Sequence, residues 1–207
     1  MPLKMPEKIE AERIILVRPF PPTFELAKEI FAKMDLSRAT LRKWLSHIDA
    51  MKSPEDRYPW LMAQVQNWEK SESFAYLIRE KKTKVLLGGI DLMNCNEKHK
   101  SAEIGYWLSD DAVGYGYMTE AVCALEAVAF KKGLNRIVIR NDSKNIRSDN
   151  IPKRCGYYLE GVLRALKWSD YWKSFRDIKV WSKLKTEWEQ QNKNKGVKHA
   201  VKNARKN

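Results

Sequence analysis

The spacing of apolar positions changes period several times along the chain, and each change marks an expected element. Arg13-Ile14-Ile15-Leu16-Val17-Arg18 is a β-branched run stopped by Pro19, Pro21 and Pro22, which predicts a strand and then a turn. Leu26, Ile30 and Phe31 follow at helical spacing behind Thr23, an expected N-cap, and Leu41, Trp44, Leu45 and Ile48 continue the pattern. Ser53-Pro54-Glu55-Asp56 predicts a fresh helix start, with Ser as cap, Pro at the first helical position and acids against the dipole. Its buried stripe is expected to be Trp60, Leu61, Val65 and Trp68. From Phe74 the period becomes that of strands: Phe74 to Arg79, Val85 to Met93 after a Lys-Lys-Thr-Lys turn, and Ala102 to Leu108. A helix from about Tyr117 to Lys132 ends at Gly133, a strand covers Arg136 to Ile139, and a second helix from about Ile146 to Cys155 ends at Gly156. Strands around Tyr158 to Leu166 and Ile178 to Leu184 close the pattern. This order predicts an α/β (α+β) fold: a mixed, mostly antiparallel twisted sheet of about seven strands with helices on both faces.

Composition narrows the class. The chain has 207 residues, 43% hydrophobic, with 8 Trp, 8 Tyr and 6 Phe, which is enough apolar material for the core of one domain and excludes a mostly disordered chain. No apolar run approaches the roughly 18 residues of a membrane-spanning helix, and Met1 to Lys8 lacks the apolar stretch of a secretory signal; a cytoplasmic protein without a membrane partner is expected. Cys95, Cys123 and Cys155 show no C-x-x-C, and His47, His99 and His199 lie singly, so no metal site is expected. The net charge of +13 favours anionic partners, yet six basic residues and no acid fall between Gln190 and Asn207, so nearly half the excess is in one tail. Residues 189–207 are therefore expected to be a basic, disordered tail that binds nucleic acid only weakly, and residues 1–11 an N-terminal extension.

The segment that carries chemistry is Val113-Gly114-Tyr115-Gly116-Tyr117-Met118-Thr119, a glycine pair between a strand and a helix start. Gly114 and Gly116 permit close backbone approach, and the helix after them aims unpaired N–H groups at whatever sits there, which makes an anion cradle suited to a diphosphate. A plain tight turn would explain the same spacing. It is neither a Rossmann fingerprint, since Thr119 holds the third Gly position, nor a Walker loop, since no Gly-Lys-Ser/Thr follows.

Four ordered blocks widen the context: Ala102 to Leu108, Gly114 to Ala121, Asn145-Ile146-Arg147-Ser148, and Lys153 to Gly161. Together with Glu12 to Leu16, Asp177 and Glu187-Trp188, they resemble the GNAT superfamily of acetyl-CoA-dependent N-acetyltransferases, and more narrowly its RimJ/RimL branch of ribosomal-protein N-terminal acetyltransferases. The resemblance runs from about Glu12 to Trp188 and implies one GNAT domain over residues 12–188. It implies that the amides of Val113, Gly114, Tyr115, Gly116, Tyr117, Met118 and Thr119 hold the diphosphate of acetyl-CoA, although Val113 replaces a polar residue and Met118 a small one. The long Met118 side chain must then turn into the core. The resemblance further implies that the backbones of Trp107 and Leu108 pair with the pantetheine arm and that Asn145 hydrogen-bonds it. Lys153 and Arg154, at the end of the second helix, are placed to approach the nucleotide phosphates, and a solvated basic end that suits the helix dipole explains them equally well.

Acetyl transfer to an amine needs a proton acceptor and a donor for the leaving thiolate. By resemblance the acceptor is Glu103, which shares a strand face with Gly105 and Trp107; a hydrogen-bonding strand Glu is the other reading. Many relatives place an acidic Tyr four residues beyond the position of Ser148, but Pro152 stands there, which leaves Ser148 as the donor. Helix capping by Asn145, with Ser148 a small surface residue, would account for the same block. The expected reaction is acetyl transfer to a protein N-terminal α-amine of ribosomal-protein type, by a monomer or homodimer. The alternatives are a small amine acceptor such as an aminoglycoside or polyamine, and a degenerate, ribosome-associated basic module without activity.

Overall fold

The computed structural model describes residues 2–204, and for 195–204 only the backbone. Eight strands form one sheet in the order β1-β2-β3-β4-β5-β6-β8-β7. Strands β1 (Lys8–Glu10), β2 (Ile14–Val17), β3 (Phe74–Glu80), β4 (Leu86–Asn96) and β5 (Ser101–Leu108) pair antiparallel in series. Strand β6 (Arg136–Asp142) joins β5 in parallel, and β8 (Ser174–Leu184) and β7 (Tyr158–Ser169) complete the sheet antiparallel. The one parallel junction arises because the chain crosses over through a helix between β5 and β6, as parallel neighbours require.

Helices α1 (Phe24–Leu36), α2 (Arg38–Leu41) and α3 (Pro54–Glu69) cover one face; α4 (Tyr117–Lys131) and α5 (Ile146–Cys155) lie on the other. Strand alternation sorts the core between them. Phe74, Tyr76 and Ile78 point to the α4 side with Ile14, Leu16, Ile137 and Ile139, whereas Leu77 points to the α1–α3 side with Ile30, Met34 and Leu61. The expected caps are present: Thr23 Oγ1 accepts from Leu26 N at 3.2 Å, and Asp56 Oδ2 accepts from Ser53 N at 2.9 Å.

The structure departs from the pattern-based expectations in four places. Residues 1–11 are not a mere extension, because Lys8–Glu10 pairs with β2 and Met5 and Ile9 enter the core. Three residues are too few to show a period. The expected continuation over 41–48 is broken into the four-residue α2 and a 3-10 turn at Ser46–Ile48. The buried stripe of α3 is Arg57, Leu61, Gln64 and Trp68, with Arg57 stacked 3.6 Å from the Trp60 ring centroid. Polar residues at helical spacing had hidden half of that stripe. Finally, the tail expected to be disordered from residue 189 belongs to α6 (Lys185–Ala204); Trp188 packs on Phe130 and Gln191 Nε2 donates to the Gly156 carbonyl at 3.1 Å. Residues 205–207 of that tail lie outside the described residues.

Candidate active site

The register of the parallel pair ends at Ile104 opposite Ile139, although β5 continues to Leu108 and β6 to Asp142. Past that point the two strands part and open a cleft of about 830 Å³. Its walls come from β5 (Glu103 to Leu108), the start of α4, α5, the segment 40–49, and the tip of the β7–β8 hairpin. On its other edge β5 lies close against β4. A Cβ on Gly89 would stand 2.5 Å from the Trp107 indole nitrogen, so glycine there lets the ring lie flat on the sheet beside the cleft.

One end of the cleft is the glycine loop. After a 3-10 turn at Asp110–Ala112, Gly114 and Gly116 adopt φ of +96° and +80°, the left-handed region that side-chain-bearing residues resist. No side chain caps α4, whose first hydrogen bond runs from Glu120 N to the Gly116 carbonyl at 3.1 Å. Among the described residues the amides of Tyr117, Met118 and Thr119 therefore have no acceptor, and the Thr119 hydroxyl is buried without a partner. Space beside Gly114 is open, and Met118 turns into the core at 4% exposure. A diphosphate fits this arrangement on charge, donors and room.

The loop is braced from across the sheet by Arg13, just before β2. Its Nε and Nη2 both reach Glu120 Oε2 at 2.8 Å, its Nη1 donates to the Tyr115 carbonyl at 2.9 Å, and its backbone N donates to Glu120 Oε1 at 2.7 Å. The guanidinium also lies 5.0 Å from the Tyr117 ring centroid.

Glu103 and Ser148 stand on different walls. Glu103 is 19% exposed, accepts from Asn94 Nδ2 at 3.3 Å and lies 3.7 Å from Arg140 Nε. Ser148 sits in the first turn of α5, where Asn145 Oδ1 accepts from its backbone N at 3.1 Å. Asn145 is thus a helix cap, and its Nδ2 stays available on the cleft wall. The Ser148 hydroxyl is 3.1 Å from the Tyr106 hydroxyl.

The far mouth is aromatic. Trp44 from the segment after α2 meets Trp172 of the hairpin at 6.2 Å between centroids, and Arg42 lies 5.6 Å from the Tyr171 ring. At the cleft floor Arg176 donates to both carboxylate oxygens of Asp142, at 3.0 and 2.9 Å.

Of the residues singled out in the sequence, Glu103, Trp107, Leu108, Val113, Gly114, Gly116, Tyr117, Met118, Asn145, Ser148 and Arg154 all line this one cleft. Tyr115 and Thr119 do not. The Tyr115 ring is exposed and stacks on Tyr117 at 5.8 Å, while its carbonyl is engaged by Arg13. Lys153 is held by Asp149 at 2.6 Å.

Against known families, residues 14–158 match the profile of the acetyltransferase (GNAT) domain. The chain belongs to the GNAT acetyltransferases. Among curated GNAT relatives, YdaF of Bacillus subtilis (strain 168), named for ribosomal N-acetyltransferase activity, is 35% identical over 105 residues, which is 50% of this chain and 56% of YdaF's own length. The ribosomal-protein-serine acetyltransferase of Escherichia coli (strain K12) is 25% identical over 158 residues, 76% of this chain and 86% of that protein. Among solved GNAT structures, RimL, the ribosomal L7/L12 α-N-protein acetyltransferase in complex with CoA, superposes with a TM-score of 0.79 at 19% identity, over 86% of this chain and 98% of that one. This last likeness establishes the fold. GNAT enzymes draw their acetyl group from acetyl-CoA, and the parted strands with an amide cradle at one end have the shape and donors to receive it.

Sequence reasoning passed over Arg13, Arg140 and above all Tyr106. Tyr106 is an even-numbered residue of β5, on the face opposite Glu103, and nothing in its local sequence singles it out. Its value depends on α5 being docked against that face, which no local pattern encodes.

Proposed function

We propose that this chain transfers the acetyl group of acetyl-CoA to a protein N-terminal α-amine, with ribosomal proteins as the acceptor class. The observation that carries the reading is that one cleft joins an amide cradle, a carboxylate on one wall and a hydroxyl on the other. The names of the relatives support the acceptor class. In this reading Gly114 to Thr119 hold the diphosphate, the free β5 edge at Trp107 and Leu108 and the Asn145 amide hold the pantetheine, and Arg154 meets the nucleotide phosphates. Glu103 takes the proton from the attacking amine, and Ser148 donates to the departing sulfur. An α-amine, with a reference pKa of about 7.7 to 8.0, is partly neutral near pH 7, whereas a lysine near 10.4 is not, so one carboxylate base suits the former. Although Asp49 pairs with Arg42 at the mouth, basic side chains outnumber acidic ones along the cleft, a balance that opposes polycationic small amines. The basic residues beyond 189 add a weak, salt-sensitive attraction to a polyanion.

The test is incubation with acetyl-CoA of ribosomal proteins bearing free N-termini, beside the same proteins with blocked N-termini and a polyamine. A mass gain of one acetyl group, mapped by fragmentation to the α-amine, is expected. Acetylation confined to lysine side chains or to the polyamine would overturn the reading.

A further inference from the structure

The position where many GNAT relatives carry an acidic tyrosine is Pro152, inside α5. Proline has no N–H, so the carbonyl four residues earlier, that of Ser148, loses its helical donor. The structure supplies a replacement from another element. The Tyr106 hydroxyl on β5 donates to the Ser148 carbonyl at 3.2 Å and stands 3.1 Å from Ser148 Oγ. The phenol oxygen thus lies within hydrogen-bond distance of both oxygens of one residue, and both side chains line the cleft.

We propose that Tyr106 is a positioning residue for the leaving-group step: its single proton is shared in a three-centre bond between the Ser148 carbonyl and Ser148 Oγ, and this turns the Ser148 proton toward the departing sulfur. The inference rests on the acetyl-transfer reading and on Ser148 as donor. A serine hydroxyl has one proton and two acceptor lone pairs. When its oxygen is already held by a phenol, that proton is released to the cleft. Burial pushes the pKa of the Tyr106 hydroxyl up, against the smaller opposing effect of its bond to Ser148, so it stays a neutral donor across the working range. Pro152 matters in turn, because a residue with an N–H at 152 would claim the Ser148 carbonyl and loosen the phenol's second anchor.

The chemistry balances as follows. The amine nitrogen forms its bond to the acetyl carbon and passes a proton to the Glu103 carboxylate, which returns it to solvent. The C–S bond breaks with its electron pair on sulfur, where the Ser148 hydroxyl hydrogen-bonds the thiolate until solvent protonates it. Tyr106 keeps its own proton throughout.

The test compares Tyr106→Phe and Ser148→Ala using acetyl-CoA and acetyl-seleno-CoA, whose leaving selenol is a much stronger acid and needs less assistance. With acetyl-CoA, Tyr106→Phe is expected to lower kcat roughly 3- to 10-fold and Ser148→Ala roughly 10- to 100-fold, with KM for acetyl-CoA and the melting temperature little changed. The double variant should be no worse than Ser148→Ala alone, since Tyr106 acts through Ser148. Both deficits should shrink with the seleno donor. An equal Tyr106→Phe deficit with the two donors, or additivity in the double variant, would overturn the inference while leaving Ser148 as donor intact. Undiminished kcat in Ser148→Ala would overturn both and remove the assigned donor from the acetyl-transfer reading.

Discussion

Removing the Arg13 side chain should weaken acetyl-CoA binding without slowing the chemistry. Arg13→Ala deletes both guanidinium contacts to Glu120 and the donor to the Tyr115 carbonyl, while the Arg13 backbone N can still hold Glu120 Oε1. The pair is partly solvated, with the Arg13 side chain 47% and Glu120 15% exposed, so the ion pair contributes about 0.5 to 1 kcal/mol and the carbonyl bond a similar amount. What is lost is order in a loop that holds two residues at positive φ, and cofactor binding must then restore it. A total of about 1 to 2 kcal/mol corresponds to roughly 5- to 30-fold weaker affinity. Calorimetry with CoA measures this directly, and kcat at saturating acetyl-CoA should stay within about twofold. Arg13→Lys keeps the charge but not the fork, and should recover only part of the loss. Affinity of Arg13→Ala within twofold of the parent would refute the reasoning and leave Arg13 as an ornament of the sheet.

Gly116→Glu should abolish measurable CoA binding, because it strains a φ of +80° and sets a carboxylate against the diphosphate; calorimetric binding equal to the parent's would count against the cradle. Glu103→Gln should lower kcat roughly 100-fold or more and flatten the low-pH limb of the rate profile, and an unchanged limb would remove Glu103 as base. Burial pushes the Asp91 carboxyl up to about 7, against the opposing pull of Arg57. The folded state then holds a proton between about pH 4 and 7 that the unfolded state has lost, so this contribution to stability is full below about pH 4 and declines as pH rises through 7. Asp91→Asn should therefore flatten the fall in melting temperature from pH 5 to 8; a parallel fall in both proteins would assign it to other groups.

The elements that carry the cleft were legible because their residues announce themselves locally. Gly114, Gly116, Gly133 and Gly156 mark helix ends by conformational need, and all four have positive φ. The unbroken apolar run Phe74 to Ile78 marks a strand buried on both faces, and the alternation that begins at Ala102 marks the faces of the strand to Leu108. What stayed hidden is what depends on a distant partner. Ile9 reads as a lone apolar residue until β2 lies beside it, and Arg57 reads as a solvated charge until docking of α3 buries it near the Asp91 carboxylate of β4. Tyr106 gains its meaning from Pro152, 46 positions away in sequence, through a backbone donor that proline lacks.

The place where β5 and β6 part is also a mechanical seam. Four residue pairs, Ser101 to Ile104 opposite Arg136 to Ile139, join a five-stranded half to a three-stranded one. A ligand lying between the parted strands acts as a temporary ninth strand and stitches the halves together by hydrogen bonds the free chain cannot make. Turnover then carries a rhythm of stiffening and loosening: amides along the seam should exchange with solvent most slowly while acetyl-CoA is bound, and fastest between product release and the next arrival.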